Sequence, residues 1–145
     1  MKQLRDRLIA LREHANQGLR NHVTRLMQES PLHYMVLIEV SIAYLEGKSI
    51  NFENLVKQLH TSLGSRSTVA NVLEDYIYKK FMIKKQCKED KRWRVYEPTE
   101  VTLHELNRYL EHRESFVFNM KIHQMKKVIQ KNWMKQVIQK NLIAK

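Results

Sequence analysis

Apolar residues recur at steps of three and four from Leu4 through Leu8, Leu11, Ala15, Leu19, His22/Val23 and Leu26. Such steps draw one stripe along a helix, with Arg, Gln and Glu elsewhere, and predict a single long helix over 3–28. With only a stripe to bury, a helix of that length needs an extended partner surface, such as a second subunit. Ser30-Pro31 then reads as N-cap and first residue of a second helix over 31–46. Leu32, Met35, Val36, Leu37, Ile38, Val40, Ile42, Ala43 and Leu45 cover that helix nearly all round, which marks it as the central core helix. Gly47 ends it. Ser49 or Asn51 caps a third helix, 52–60, whose apolar side is Phe52, Leu55, Val56 and Leu59. After a turn at 61–64, Ser65 caps a fourth helix, 66–80, that directs Val69, Val72, Leu73, Tyr76 and Ile77 inward.

The period then changes. Residues 82–87 and 93–96 alternate as two short strands, joined by the charged tip Lys88-Glu89-Asp90-Lys91-Arg92. Beyond Pro98-Thr99 the helical period resumes at Val101, Leu103, Leu106 and Leu110 and continues through Phe116, Phe118 and Ile122. In the last stretch "VIQKNW" at 128–133 returns as "VIQKNL" at 137–142. Nine residues rotate a helix by about 900°, so the two copies face opposite sides. Three conformations fit that tail: a kink near Asn132, a helix buried from several directions, or an arm that reaches a partner.

Composition narrows the class. The 145 residues include only three Gly and two Pro, too few for the turns of a β-sandwich or barrel. The formal net charge of +11 draws the chain toward polyanions, and its distribution is uneven. Residues 79–94 hold eight Lys or Arg against Glu89 and Asp90, and residues 121–145 hold seven Lys and no acid. One cysteine, Cys87, excludes an intrachain disulfide, and its place in a charged strand leaves open a redox role or an incidental one. No apolar run approaches 18 residues and the first residues are charged, so a cytoplasmic protein with no membrane partner is expected.

Three helices, a turn, a fourth helix, a hairpin and a further helix make a winged helix-turn-helix: mainly α with a small β-wing. The fourth helix fits the major groove of DNA. Its first turn offers backbone N–H groups and the short side chains Ser65, Ser67 and Thr68 to phosphates and base edges. An arginine at a hairpin tip can enter the minor groove.

The run "SRSTVANVLEDYIYKKFMIKKQCKEDKRWRVYEPTE", residues 65–100, resembles the recognition helix and wing of the MarR family. That family has a Ser-Thr-Val helix start, an Asp-x-Arg wing tip and a "Leu-Thr"-like entry to the next helix, matched here by 67–69, Asp90-Lys91-Arg92 and Pro98-Thr99. The resemblance implies that Arg92 is the minor-groove arginine, with Asp90 holding the wing. It further implies that Arg66, Ser67, Thr68 and Asn71 face the major groove. Ser65, Lys84, Lys85, Lys88, Lys91 and Arg94 complete the expected DNA-binding set. It implies a homodimer on double-stranded DNA, built from a dimerisation helix at 1–30, a DNA-reading domain at 31–99 and dimerisation helices with a basic tail at 100–145. The expected activity is that of a sequence-specific transcription regulator, a repressor on an inverted-repeat operator, with room for a small-molecule effector. The turn before Ser65 is about three residues longer than the family's compact form.

Other readings rank lower. A solvated hairpin would explain the charge at 79–94 but not the turn and helix that follow it. The seven histidines (His14, His22, His33, His60, His104, His112 and His123) lack metal-binding spacing, and His104 and His112 beside Glu105, Glu111 and Glu114 read as surface residues. No metal, cofactor or catalytic residue is expected, since the chain has no phosphate loop and no recognisable pair of acids. The runners-up are an architectural or replication-associated DNA-binding protein, or a winged helix used for protein–protein docking.

Overall fold

The computed structural model describes residues 2–143. Met1, Ala144 and Lys145 lie outside it, as do the side chains of Lys2, Gln3, Phe116, Asn119, Met120, His123 and residues 140–143. The chain divides into two compact units, Met1–Tyr109 and Leu110–Lys145.

The helix expected over 3–28 is broken into α1 (Lys2–Leu19) and α2 (His22–Met27), and Asn21 is the cause. Its backbone is extended, and its side-chain oxygen accepts from the N–H groups of Val23 at 2.7 Å and Thr24 at 3.3 Å. Its amide donates to Glu105, and the Thr24 hydroxyl donates to the Gly18 carbonyl. A side chain that satisfies the donors of a new helix start competes with continuation of the old one. A Cβ on Gly18 would stand 3.1 Å from the Tyr109 ring and closer still to the Gln28 amide, so a larger residue at this end of α1 would have to displace the Gln28 side chain and crowd Tyr109.

Ser30 and Pro31 open α3 (Pro31–Leu45) as the pattern predicts, and Gly47 closes it in the left-handed region with φ +69°. The Lys48 N–H then reaches the Ala43 carbonyl at 2.8 Å, which satisfies one of the helix's last acceptors. Strand β1 (Ile50–Asn51) was not foreseen, since two residues carry no period. Asn51 rather than Ser49 caps α4 (Phe52–Gln58), which stops two residues short of the expected 60. A 3₁₀ turn at Thr61–Leu63 leads to Ser65, the cap of α5 (Arg66–Tyr78). This helix also ends two residues early. Lys80 takes a left-handed φ of 62°, and the Phe81 N–H bonds back to the Tyr76 carbonyl at 2.9 Å.

Strands β2 (Met82–Gln86) and β3 (Arg94–Pro98) pair antiparallel from Met82↔Pro98 to Gln86↔Arg94. They differ by one or two residues from the expected 82–87 and 93–96. Strand β1 lies on the other edge of β3, with Ile50 opposite Tyr96, so the hairpin is tied into a three-stranded sheet of order β1-β3-β2. Thr99 then opens α6 (Glu100–Ile143). Fully buried Thr102 donates its hydroxyl to the Phe81 carbonyl at 2.7 Å, which fixes the exit of the wing.

The core of the first unit gathers Val23, Leu26 and Met27 of α2, Val36, Leu37 and Val40 of α3, Leu55 of α4, and Val69, Leu73 and Tyr76 of α5 around Met82. In the second unit, α6 runs without interruption through Asn132, so the kink considered there is absent. With no Gly or Pro after Pro98, nothing in the sequence forces one. Burial from several directions is also overturned within the chain, because Met125, Val128, Ile129, Trp133 and Ile138 are each more than half exposed. Among the described residues, no helix is long and apolar enough to cross a membrane.

Candidate nucleic-acid interface

The start of α5 is a compact polar cluster. The Ser65 hydroxyl accepts from the Thr68 N–H at 3.3 Å and lies 2.8 Å from Ser67 Oγ and 2.9 Å from Thr68 Oγ1. One serine thus caps the helix and links the next two hydroxyls, all three exposed. One turn on, Asn71 is exposed on the same helix, while Val69, Val72 and Leu73 hold the opposite side in the core.

Arg66 is arranged differently from its neighbours. Its guanidinium makes a two-pronged bond to the Glu53 carboxylate of α4, with Nη1 3.0 Å from Oε2 and Nη2 on Oε1. It also lies over the Phe52 ring, 5.2 Å from the centroid. These bonds hold the Glu53 carboxyl below its usual range and raise the Arg66 guanidinium. Sequence reasoning missed Glu53, because nothing local connects it to a residue 13 positions later on another helix.

The wing tip is closed by its own side chains. Asp90 Oδ1 accepts from the Arg92 backbone N–H at 3.0 Å and from Nε at 3.2 Å, and Oδ2 accepts from Nη2 at 2.9 Å. Hydrogen bonds from the Arg92 side chain and then its backbone lower the Asp90 carboxyl, and the same pair raises Arg92. The Trp93 N–H reaches the Asp90 carbonyl at 3.0 Å, and Gln86 Nε2 donates to the Lys91 carbonyl at 2.6 Å. Arg92 is left 87% exposed at a fixed angle. Nothing in the sequence singles out Gln86.

The remaining wing cations fall into two groups. Lys84 pairs with Glu74 of α5 at 3.4 Å and lies over the Tyr96 ring, and Lys85 pairs with Glu97 of β3 at 2.6 Å. Those two tie the wing to its surroundings. Lys88, Lys91 and Arg94 extend exposed side chains with no ion pair among the described residues. Of the two aromatic residues, Tyr96 is buried against the core and Trp93 is substantially exposed. Cys87 is half-buried and forms no disulfide.

No family model matches the sequence, and no curated protein matches it. Solved structures do. The Staphylococcus aureus MepR–DNA complex is similar at 18% identity over 90% of this chain and 95% of that chain, with a TM-score of 0.57. The heme sensor protein PefR from Streptococcus agalactiae, in complex with heme, is similar at 19% identity, 89% and 88% coverage and a TM-score of 0.52. MarR is similar at 18% identity over 98% of each chain, with a TM-score of 0.50. The fold is thus the winged helix of these proteins, mostly helical with a small three-stranded antiparallel sheet.

Proposed function

We propose that this chain is a sequence-specific, DNA-binding transcription regulator of the MarR type, acting as a homodimeric repressor on an inverted-repeat operator. The observation that carries this reading is that one chain holds both a capped, polar helix start and an exposed wing-tip arginine fixed by its own aspartate. Ser65, Ser67, Thr68 and Asn71 meet the major groove, and Arg92, aimed by Asp90, enters the minor groove beside it. Lys88, Lys91 and Arg94 lie along phosphates. MepR, solved with DNA in the same fold, supports this reading, and PefR, solved with heme, supports room for a small-molecule effector.

The dimer is supported by apolar side chains that the chain leaves in solvent. Leu4, Leu8, Leu11 and Leu19 form the stripe of α1, each close to half exposed or more. Leu110, Val117, Phe118, Met125 and Ile129 of α6 are exposed as well. A two-fold axis through such helices puts two α5 helices on one face of DNA, about 34 Å apart, and hence calls for a palindromic site.

Selection of binding sites from random duplex DNA, with the mass of the free protein measured by sedimentation, tests the proposal. A palindromic consensus and a dimeric mass are expected. Recovery of unrelated sequences protected evenly along the duplex points instead to an architectural role, and a monomer at micromolar concentration overturns the dimer.

The Arg66–Glu53 pair gives a second expectation. Glu53→Gln removes a carboxylate beside the DNA face and frees a guanidinium. Duplex affinity should rise about three- to tenfold at low salt, with a steeper salt dependence by about one counterion per protomer. Fluorescence anisotropy across a salt series measures both. A fall in affinity would mean that Glu53 aims Arg66 rather than restrains it.

A further inference from the structure

Where α2, α3 and α5 meet, three metal-ligating side chains distant in sequence come together. Glu29 follows α2, His33 lies one turn on in α3, and Asp75 comes from α5. His33 Nε2 is 3.5 Å from Asp75 Oδ2 and 3.8 Å from Glu29 Oε2. One ligand atom from each of the three lies within 4.8 Å of the others.

We propose that Glu29, His33 and Asp75 form a binding site for a divalent first-row transition cation of the zinc type. The spacing supports it. Ligand atoms about 2.0–2.2 Å from a tetrahedral ion sit about 3.3–3.6 Å from one another. The two His33 separations need shifts of a few tenths of an ångström at most, and the two carboxylates, within 4.8 Å of each other, draw together as half-exposed Glu29 turns inward. The imidazole is also prepared for the role. Its Nδ1 is 2.8 Å from Ser30 Oγ, so Nε2 is the nitrogen that faces the two carboxylates. A hydrogen bond at the far ring nitrogen is how proteins orient a metal-binding histidine. The ring is 15% exposed and leans on Tyr76, so it has little freedom to turn away. Glu29 is half exposed and leaves a side open to water as a fourth ligand.

Two further features define the ligand. An imidazole beside two carboxylates selects zinc, cobalt or nickel over magnesium and calcium, which prefer oxygen alone. Lys79 already stands as a rival cation, with Nζ 3.3 Å from Asp75 Oδ1 and 3.9 Å from Glu29 Oε1. Its long, partly exposed side chain can swing into solvent as the ion enters. A bound ion would fasten α5 to the junction of α2 and α3. This inference does not depend on the DNA reading.

The test is calorimetric titration of the full chain with Zn²⁺, repeated with Co²⁺ and followed by visible absorption. One ion per chain should bind, with Mg²⁺ failing to compete at a hundredfold excess. His33→Ala and Asp75→Asn should each weaken binding at least tenfold, and Lys79→Met should strengthen it severalfold by removing the competing cation. Circular dichroism verifies folding, and half-exposed Glu29→Gln carries the same expectation if His33→Ala fails to fold. Equal binding by wild type and the ligand variants, as adventitious binding to His22, His60 or His104 would give, overturns the site. So does the absence of saturable Zn²⁺ binding, or weaker binding by Lys79→Met.

Discussion

Replacing Arg92 with alanine should weaken binding to the selected operator by about 1–3 kcal/mol, roughly five- to 150-fold, with the fold intact. The side chain is 87% exposed, and among the described residues its hydrogen bonds go to Asp90, so its removal opens no cavity and leaves no buried group unpaired. In the proposed complex, what it removes is the charge that enters the minor groove. Because Asp90 holds both prongs of the guanidinium, little side-chain entropy is lost when it meets DNA. Arg92→Lys should therefore recover only part of the loss, since an ammonium keeps the charge but not the fork. Anisotropy titrations near 0.15 M salt give the affinities, and a salt series should show a slope lower by about one counterion per protomer. An unchanged Kd for Arg92→Ala, with an unchanged slope, would falsify the wing's role in DNA binding.

The parts of this arrangement that could be read from the sequence are those whose causes are local. Ser30-Pro31, Ser65 and Gly47 announce helix ends through bonds within one turn of themselves, and each does so in the structure. The charged tip between two alternating runs likewise describes its own hairpin. What escaped depends on distant partners. Asn21 lies inside an unbroken apolar stripe, and its amide partner Glu105 is 84 residues away. Arg66 finds its partner Glu53 on α4, 13 residues back along the chain, where no local spacing points to it. Glu29 and His33 have the spacing of neighbours on a helix, but only α5 supplies Asp75. Strand β1 gains its identity entirely from pairing with β3. A periodic pattern says which face is buried, and the tertiary contact decides what that face or its polar edge will meet.

Tyr76 shows how far such a contact reaches, and its replacement by alanine should cost about 3–5 kcal/mol. It is the largest fully buried side chain, and its hydroxyl donates to the His33 carbonyl at 2.8 Å, linking α5 to α3. Domains of this size have total stabilities of about 5–15 kcal/mol, so that loss alone brings the variant close to unfolding. Tyr76→Phe keeps the ring and should cost only about 1 kcal/mol, the value of one hydrogen bond. The two variants also separate in alkali. Burial pushes the Tyr76 phenol well above its ordinary value, and the negative charges of Asp75 and Glu29 push it the same way. The folded chain therefore keeps this proton where the unfolded chain has released it. A folded-state pKa raised above the unfolded one gives stability that is complete below about pH 10 and is lost as pH climbs beyond it. Wild type should lose about 1.4 kcal/mol per pH unit from this group above pH 10, and Tyr76→Phe should lack that component. Urea unfolding at intervals from pH 8 to 11 measures the difference. Parallel curves for the two proteins would mean that the phenol ionises as readily in the folded chain as in the unfolded one.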